Sequence, residues 1–598
     1  MYIVNYGKEL LDNLKKAKLV ALDTETISLT DKTMVGFSFA YDKTEFYAPV
    51  KDKYLDNMPK HKALYLLNFI LENCTVIFHN SSFDIPVLAS FGVTLPKKEY
   101  EDTVIMANLV DENMMHGLKK LAKAIYDVDM IELKEVCGTG KNRKSFDEVE
   151  SDLKVDYACA DAKMTLRIYK ALLERLLLDR PSYGVYTTIE RPLLSVVADM
   201  HINGIRIDVS RVFEIARTCE NKINHAKDKL NILMGKDVNF NSSRQLREYF
   251  IDKLNMPIMR KSDKTGAPSV DKEVLKTYAE INGAAKLLLE YRKYNKILTT
   301  FIPALTPVKW DTNYSGKIFA AFNQAGTVSG RFSSSRPNMQ NIPRDKKPND
   351  PEYLGIRECF IPEDGHIFIG ADYSQIELRV LAHYSKDINL MNAYINKKDI
   401  HQQTADALGI DRQNAKTINF GLVYGMGSKT LAKQIKVSEN VAQEYIDKYF
   451  NTYQGVKKFW KDAEVQFKTF GFVQTISGRK RRRTKHFYHK DDYEQGAEIR
   501  SAINSIIQGT AADLIKRAMI MMSRRLKEFD AKLILTVHDE VLVSCPIKHS
   551  KCCHDIVKSS MEKAGEVLSV PVEVDVKYGR TWAEAHGDGI KLEEAKCK

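Results

Sequence analysis

Arg412-Gln-Asn-Ala-Lys416-Thr-Ile-Asn-Phe420-Gly421-Leu-Val-Tyr424-Gly425 is the stretch from which the rest of this chain is read. Arg412, Lys416, Phe420 and Tyr424 recur every four residues. On a helix that spacing makes one slowly drifting stripe, roughly 18 Å long at about 1.5 Å rise per residue. Two cations fill its N-terminal half, where the helix dipole also favours anions, and two aromatic rings fill its C-terminal half. A nucleoside triphosphate has the same polarity, an anionic tail at one end and a flat base at the other. An amphipathic helix with a cationic face and two core rings would carry the same letters, so the flanking sequence decides.

Upstream, residues 366–371 read as a buried strand that delivers Asp372 at its end, followed by Tyr373-Ser-Gln375-Ile-Glu377. Downstream, residues 532–537 and 541–543 read as two strands with His538-Asp539-Glu540 at the turn between them. Two magnesium ions about 4 Å apart can activate an attacking oxygen and stabilise a leaving oxygen in phosphoryl transfer. Such ions take a few carboxylates and complete their shells with water and phosphate. A strand-end turn and a polar hairpin explain these acids singly; the cationic helix between them argues for a shared site. Arg500, Asn504 and Gln508 give a further helix face, at i, i+4 and i+8. The minor groove offers acceptors at every base pair, so that face can hold a duplex whatever its sequence.

At the N-terminus, the strand of residues 18–22 ends in Asp23-Thr-Glu25. A D-x-E pair alone says little: it recurs at Asp271/Glu273, Asp350/Glu352, Asp462/Glu464 and Asp492/Glu494. The first pair has company, however. A second strand leads to His79-Asn80 and then Asp84, and Tyr157-Ala-Cys-Ala-Asp161 places a phenol and a carboxylate on one helix face. Four acids and a tyrosine can bind two divalent ions and orient an attacking water.

In this order, Asp372–Arg379, the Arg412–Tyr424 stripe with Asn419-Phe420-Gly421, and Val537-His538-Asp539-Glu540 resemble family A DNA polymerases of the bacterial large-fragment and phage replicative kind. Gly330-Arg331, Pro337-Asn-Met-Gln340-Asn341, Asp399-Ile-His401 and Gln508-Gly-Thr-Ala-Ala-Asp513 extend the match over roughly residues 190–598. The resemblance implies that Asp372 and Asp539, with the Tyr373 carbonyl and Glu540 nearby, hold two Mg²⁺ ions, for which Mn²⁺ can substitute. It implies that Arg412, Lys416 and His401 grip an incoming dNTP, with Lys416 protonating the leaving pyrophosphate. Phe420 stacks on the nucleotide, Tyr424 holds the template-side position, Gln375 also contacts the dNTP, and Glu377 excludes a ribose 2′-hydroxyl. Arg331, Gln340, Asn341, Arg500, Asn504, Gln508 and His538 contact DNA. The N-terminal set resembles the 3′→5′ proofreading exonucleases. There Asp23, Glu25, Asp84 and Asp161 are ligands to two divalent ions and Tyr157 positions the water.

The expected fold is therefore an α/β multidomain chain: a ribonuclease H-like exonuclease over 1–180, then a right-hand polymerase. In that hand the thumb takes 190–310, the palm 311–398 and 516–598, and the fingers 399–515. Asp179-Arg-Pro-Ser-Tyr-Gly184 reads as a linker, and the basic run 478–485 as a contact to DNA phosphates. A formal charge of +12 on 598 residues suits a polyanionic partner. The nine cysteines lack metal-ligand spacing and read as reduced thiols of an intracellular, cytoplasmic protein. No signal peptide, membrane span, repeat or low-complexity tract is expected. No 5′-nuclease domain is expected ahead of the exonuclease, nor is a thioredoxin-binding insertion in the thumb. The expected partners are primer–template DNA, dNTPs and an unidentified processivity or replisome factor, with the protein itself a monomer. Ser329 and Phe332 depart from the family's threonine and leucine, and the short segment before Arg412 predicts trimmed outer fingers. A single-subunit RNA polymerase is disfavoured by Glu377 and the full exonuclease set. A nuclease with a DNA-clamping remnant is disfavoured by the retained Asp372, Asp539, Arg412 and Lys416, and a passive DNA-binding protein by both acid constellations.

Overall fold

The structure is a computed structural model that describes residues 1–28, 31–95, 98–150, 152–236, 238–262, 265–306, 316–344 and 349–595. Apolar side chains gather into two main cores, one over residues 14–198 and a larger one over residues 193–585. The expected start of the palm at residues 311–315 lies outside the described residues.

The N-terminal core is built on a sheet of β1 (Leu19–Thr26), β2 (Met34–Tyr41), β3 (Thr44–Pro49), β4 (Thr75–Phe78) and β5 (Glu101–Asp102), ordered β3-β2-β1-β4-β5. β1 is central, antiparallel to β2 and parallel to β4. Parallel pairing needs a crossover, and the helix Lys60–Asn73 supplies it by burying Ala63, Leu66, Leu67 and Ile70. The long helix Leu153–Leu178 packs against β1, β2 and β3. This mixed sheet with its covering helices is the ribonuclease H-like layout.

In the C-terminal part, β6 (His366–Tyr373), β7 (Lys532–Val537), β8 (Glu540–Pro546) and β9 (Val574–Gly579) form a sheet in the order β7-β8-β6-β9. A Cβ at Gly370 in β6 would lie 2.5 Å from the Ala585 carbonyl oxygen. Only glycine lets the helix Trp582–His586 come that close to the sheet, and this approach matters at the site below. The helix Asp492–Leu526 runs unbroken for 35 residues along the sheet and into the helical region that precedes it in the chain.

Two expectations about the segments joining these parts need correction. Residues 180–185 are helical and continue through a π turn into the helix Arg191–Asn203. Pro181 sits in the first turn, where its missing N–H costs no hydrogen bond. Within the basic run, residues 479–482 pair with protein carboxylates, whereas Arg483 donates to the Lys468 carbonyl at 3.0 Å. Arg481 and Arg482 both reach Glu112, at 3.1 and 3.0 Å, and Lys480 reaches Asp179 at 2.9 Å. The hairpin that carries the run (Phe472–Gln474 with Lys480–Arg482) thereby docks the N-terminal part onto the rest. Pro86, which has no N–H, leaves the Ser82 carbonyl free inside its helix, and His201 Nδ1 lies 3.2 Å from that oxygen. The other ring nitrogen accepts from Phe322 N at 2.7 Å, so Nδ1 carries the proton. Burial holds this imidazole neutral, its pKa lowered to about 4. His201 is thus a neutral pin across the joint.

Candidate active sites

β6 ends by placing Asp372 opposite Glu540 of β8 and Asp575 of β9. His538 and Asp539 form the two-residue turn between β7 and β8, and His538 has the positive φ of 58° that such a tight hairpin requires. Glu540 is therefore the first strand residue and not part of the turn. Burial, then the neighbouring Asp539 and Glu540, push Asp372 up to about 7. Burial and the nearby Glu377 and Glu540 carboxylates raise Asp539 too, against the pull of Arg331. The Asp372 Oδ1 atom is buried with no hydrogen-bond partner. Two carboxylates this close, one with an orphaned oxygen, suit divalent cations. Among the described residues no three His, Cys, Asp or Glu side chains complete a metal site by themselves.

Glu540 is placed differently from the two aspartates. Trp582 Nε1 donates to one of its oxygens at 2.9 Å, and His586 Nδ1 meets the other at 2.8 Å. Both partners come from the helix that Gly370 admits. Glu540, expected among the catalytic carboxylates, thus has both oxygens in contact with that helix at the start of β8.

The helix Arg412–Val423 is capped by Asp411, whose side chain accepts from the Gln413 and Asn414 amides. Arg412 is exposed and pairs with Asp399 at 2.8 Å; Lys416 is also exposed. His401 is buried at 2% exposure, 5.6 Å from the Phe420 ring. Asn419 Nδ2 donates to its Nδ1 at 3.0 Å, so the neutral ring keeps its own proton on Nε2. Burial and the cations Arg412 and Lys416 keep this imidazole below its ordinary pKa. Tyr424 falls one residue past the helix, at its C-cap, so the expected four-point stripe is three helical residues and a cap. Its hydroxyl is in short contact with Glu377, whose other oxygen meets Arg331. Gln375, in the left-handed conformation (φ 54°), accepts from Tyr394 Oη at 3.0 Å. Arg500, Asn504 and Gln508 are partly exposed on one long helix, and the Arg500 stem packs beside Gly425. Asn504 Oδ1 and Gln340 Nε2 are buried without partners, while Asn341 and His538 are exposed.

At the other site, Asp23 and Glu25 of β1, Asp84, Tyr157 and Asp161 line one cleft. Burial, then mutual repulsion, pushes Glu25 up to about 8 and Asp23 well above the usual carboxylate range. Burial also raises Asp84, to about 7, although Thr24 N and Oγ1 donate to it at 2.9 and 2.7 Å. Lys119 is the residue that sequence reasoning missed. Its ammonium is in short contact with Asp161 and lies 4.3 Å from the Tyr157 ring centroid. Nothing in Leu118-Lys119-Lys120-Leu121 distinguishes the inward lysine from its neighbour.

The sequence model of DNA polymerase family A matches residues 210–584. This chain belongs to family A. The 3′-5′ exonuclease model matches residues 6–177 of this family A polymerase. DNA polymerase I of Pseudomonas aeruginosa is 34% identical over 96% of the chain, and that of Borreliella burgdorferi 33% identical over 97%. The chain spans 64% of the length of each of these relatives. Among solved structures, the POL domain of Pol1 from M. smegmatis, in complex with DNA primer-template and dNTP, superposes with a TM-score of 0.83 at 26% identity. That match covers 98% of this chain and 100% of the other. Polymerases of this family that carry the exonuclease domain are generally divalent-metal dependent. No helix among the described residues of this polymerase is long and apolar enough to cross a membrane, and its eight described cysteines are free thiols.

The acid nest sets a pH dependence for the metal-free polymerase. Unfolded Glu and Asp release their protons near about pH 4, whereas folded Glu25 and Asp84 keep theirs to about 8 and 7. The folded state binds more protons across that window, so stability falls as pH rises through it; the loss begins at the unfolded values and is complete above the folded ones. Without divalent ions, the melting temperature should drop between about pH 5 and pH 8, and the slope should flatten in Glu25→Gln. An identical slope in that variant would remove Glu25 from the nest.

Proposed function

We propose that this chain is a template-directed DNA polymerase that adds dNTPs to a primer 3′ end and edits its product by 3′→5′ hydrolysis. The observation that carries the proposal is the convergence of Asp372, with its unpartnered buried Oδ1, and Asp539 beside the Glu377–Arg331 pair. Asp372, Asp539 and the Tyr373 carbonyl are the groups that would hold two Mg²⁺ ions (or Mn²⁺). Bound there, such ions would supply a lowered pKa at the primer hydroxyl and charge neutralisation at the leaving pyrophosphate.

The chain's own residues do the rest. Arg412 and Lys416 present cations to the triphosphate from the N-terminal half of their helix, and His401 adds a neutral Nε2–H donor. Lys416 protonates the leaving pyrophosphate. Phe420 stacks on the base, while Glu377, with Gln375 beside it, closes the space a ribose 2′-hydroxyl needs. Arg331, Gln340, Asn341, Arg500, Asn504, Gln508 and His538 hold the duplex; the unpartnered Asn504 Oδ1 and Gln340 Nε2 atoms support this. The helices Val209–Met234 and Gly283–Lys296 act as the thumb, the β6–β9 sheet as the palm, and the helices within residues 399–515 as the fingers. In the N-terminal domain, Asp23, Glu25, Asp84 and Asp161 would hold two divalent ions, which would supply water activation for phosphodiester hydrolysis. Tyr157 orients that water. The partners are primer–template DNA and dNTPs, with the polymerase acting as a monomer that an accessory processivity factor can join.

The test is a 5′-labelled primer with a mismatched 3′ end, incubated with template, Mg²⁺ and dNTPs. Trimming followed by full-length extension is the expected result. Trimming without extension, on a matched primer as well, would reduce the protein to a nuclease. Glu377→Ala is expected to raise ribonucleotide incorporation at least about tenfold; unchanged discrimination would place the gate elsewhere.

A further inference from the structure

Behind the Glu377–Arg331 pair lies a buried cluster of two cations and two carboxylates that none of the roles above uses. Glu190, 1% exposed, comes from the π turn that joins the two halves of the chain. Its Oε1 accepts from Lys516 Nζ at 2.6 Å and is in short contact with Arg479 Nη2. Arg479 also grips Asp513 Oδ1 through Nε at 2.9 Å and Nη2 at 2.7 Å. Thr475 Oγ1 donates to the other Asp513 oxygen at 2.7 Å. The charges balance, and the hydrogen bonds satisfy each group, which is the condition for ions to survive burial.

What the cluster holds is the turn segment 324–332 between the strands Ala321–Asn323 and Ser333–Ser335. At one end, Gln324 Nε2 donates to Glu190 Oε2 at 2.8 Å, and Lys516 Nζ donates to the Gln324 carbonyl at 2.8 Å. Further along, the Arg479 side chain lies flat on Gly330: a Cβ there would stand 2.5 Å from Arg479 Nε. Gly330 has φ +83°, so both its conformation and its space belong to glycine. Beyond it, Lys516 Nζ lies 5.4 Å from the centroid of the Phe332 ring. Arg331, between Gly330 and Phe332, is the residue that meets Glu377.

We infer that Glu190, Arg479, Asp513 and Lys516 are positioning residues for nucleotide selection, acting through Gly330 and Arg331 on Glu377. The inference rests on Glu377 being the sugar gate. An isolated glutamate has several rotamers, and a gate that excludes one hydroxyl has to hold one of them. Arg331 restrains Glu377, and the cluster restrains Arg331 by clamping the backbone on both sides of it. Because Glu190 sits in the joint and Arg479 in the docking hairpin, the gate is built on the seam between the two domains.

Arg479→Lys keeps a cation in the cluster and loses the forked grip on Asp513. It is expected to lower the preference for dNTP over rNTP about tenfold, while hydrolysis of single-stranded DNA is unchanged. Gln324→Met removes hydrogen bonds and no charge; it should move the same ratio in the same direction, and carries the test if Arg479→Lys does not fold. Adding either substitution to Glu377→Ala should change nothing more, since the cluster acts through that carboxylate. Equal losses of discrimination with and without Glu377, or full discrimination in both single variants while Glu377→Ala relaxes it, overturn the inference. Unchanged discrimination in Glu377→Ala itself overturns the gate, a separate failure that takes the inference with it.

Discussion

Asp539→Ala is expected to slow primer extension at least about a thousandfold, roughly 4 kcal/mol of transition-state stabilisation, and to leave hydrolysis of a single-stranded 3′ end unchanged. The side chain projects from a two-residue turn whose geometry is fixed by the positive φ of His538, so no neighbouring acid can swing into its place. Glu540 is tied by Trp582 and His586, and Asp372 alone offers half of the charge. The loss should not be one of folding. Asp539 is a half-buried carboxylate beside Glu377 and Glu540, and it raises the pKa of Asp372. Removing it relieves repulsion, so the metal-free melting temperature should hold or rise. Glu540→Gln keeps both hydrogen-bonding positions in shape and should cost far less extension than Asp539→Ala. Equal losses in the two variants would make Glu540 as essential to extension as Asp539, and loss of hydrolysis with extension would mean that the two activities share a site.

The parts of this protein that were legible in its sequence are those where a local period and a chemical requirement coincide. The four-residue spacing of Arg412, Lys416 and Phe420 marks one face of the helix the structure shows, and Asp372 follows an apolar strand. The errors arise where charge or composition has two physical outcomes. Arg479–Arg482 have the letters of a phosphate contact, but Glu112, Asp179, Glu190 and Asp513 bind them instead. Glu112 lies 369 residues from Arg481, so the choice of partner is made by the fold. Residues 180–185 have the letters of a turn, yet buried Ser182 and Val185 pack the segment as helix. Lys119 looks like any solvated lysine until Asp161 and Tyr157 are brought to it from 42 and 38 residues away. The ties of Glu540 to Trp582 and His586 are hidden in the same way, behind a separation of more than 40 residues.

Asp23→Ala combined with Glu25→Ala should produce the opposite phenotype to Asp539→Ala. Hydrolysis of single-stranded 3′ ends is expected to fall by at least about a thousandfold, while a matched primer is extended at the wild-type rate. A mismatched 3′ end should then persist into the product or stall. The remaining acids cannot compensate: Asp84, which accepts from Thr24, and Asp161, paired with Lys119, are only half of the proposed ligand set. The variant also tests the electrostatic account of the nest, because two of four mutually repelling buried carboxylates are gone. Its metal-free melting temperature should exceed that of the wild type above about pH 7 and depend less on pH. Extension should survive because the two sites draw on separate cores. Should extension fail with hydrolysis, the domains would be coupled through the seam that Glu112, Asp179 and Glu190 make with the docking hairpin. Glu112→Ala, which leaves both acid sets intact, would then reproduce the loss of extension; if it did not, the two active sites could not be independent.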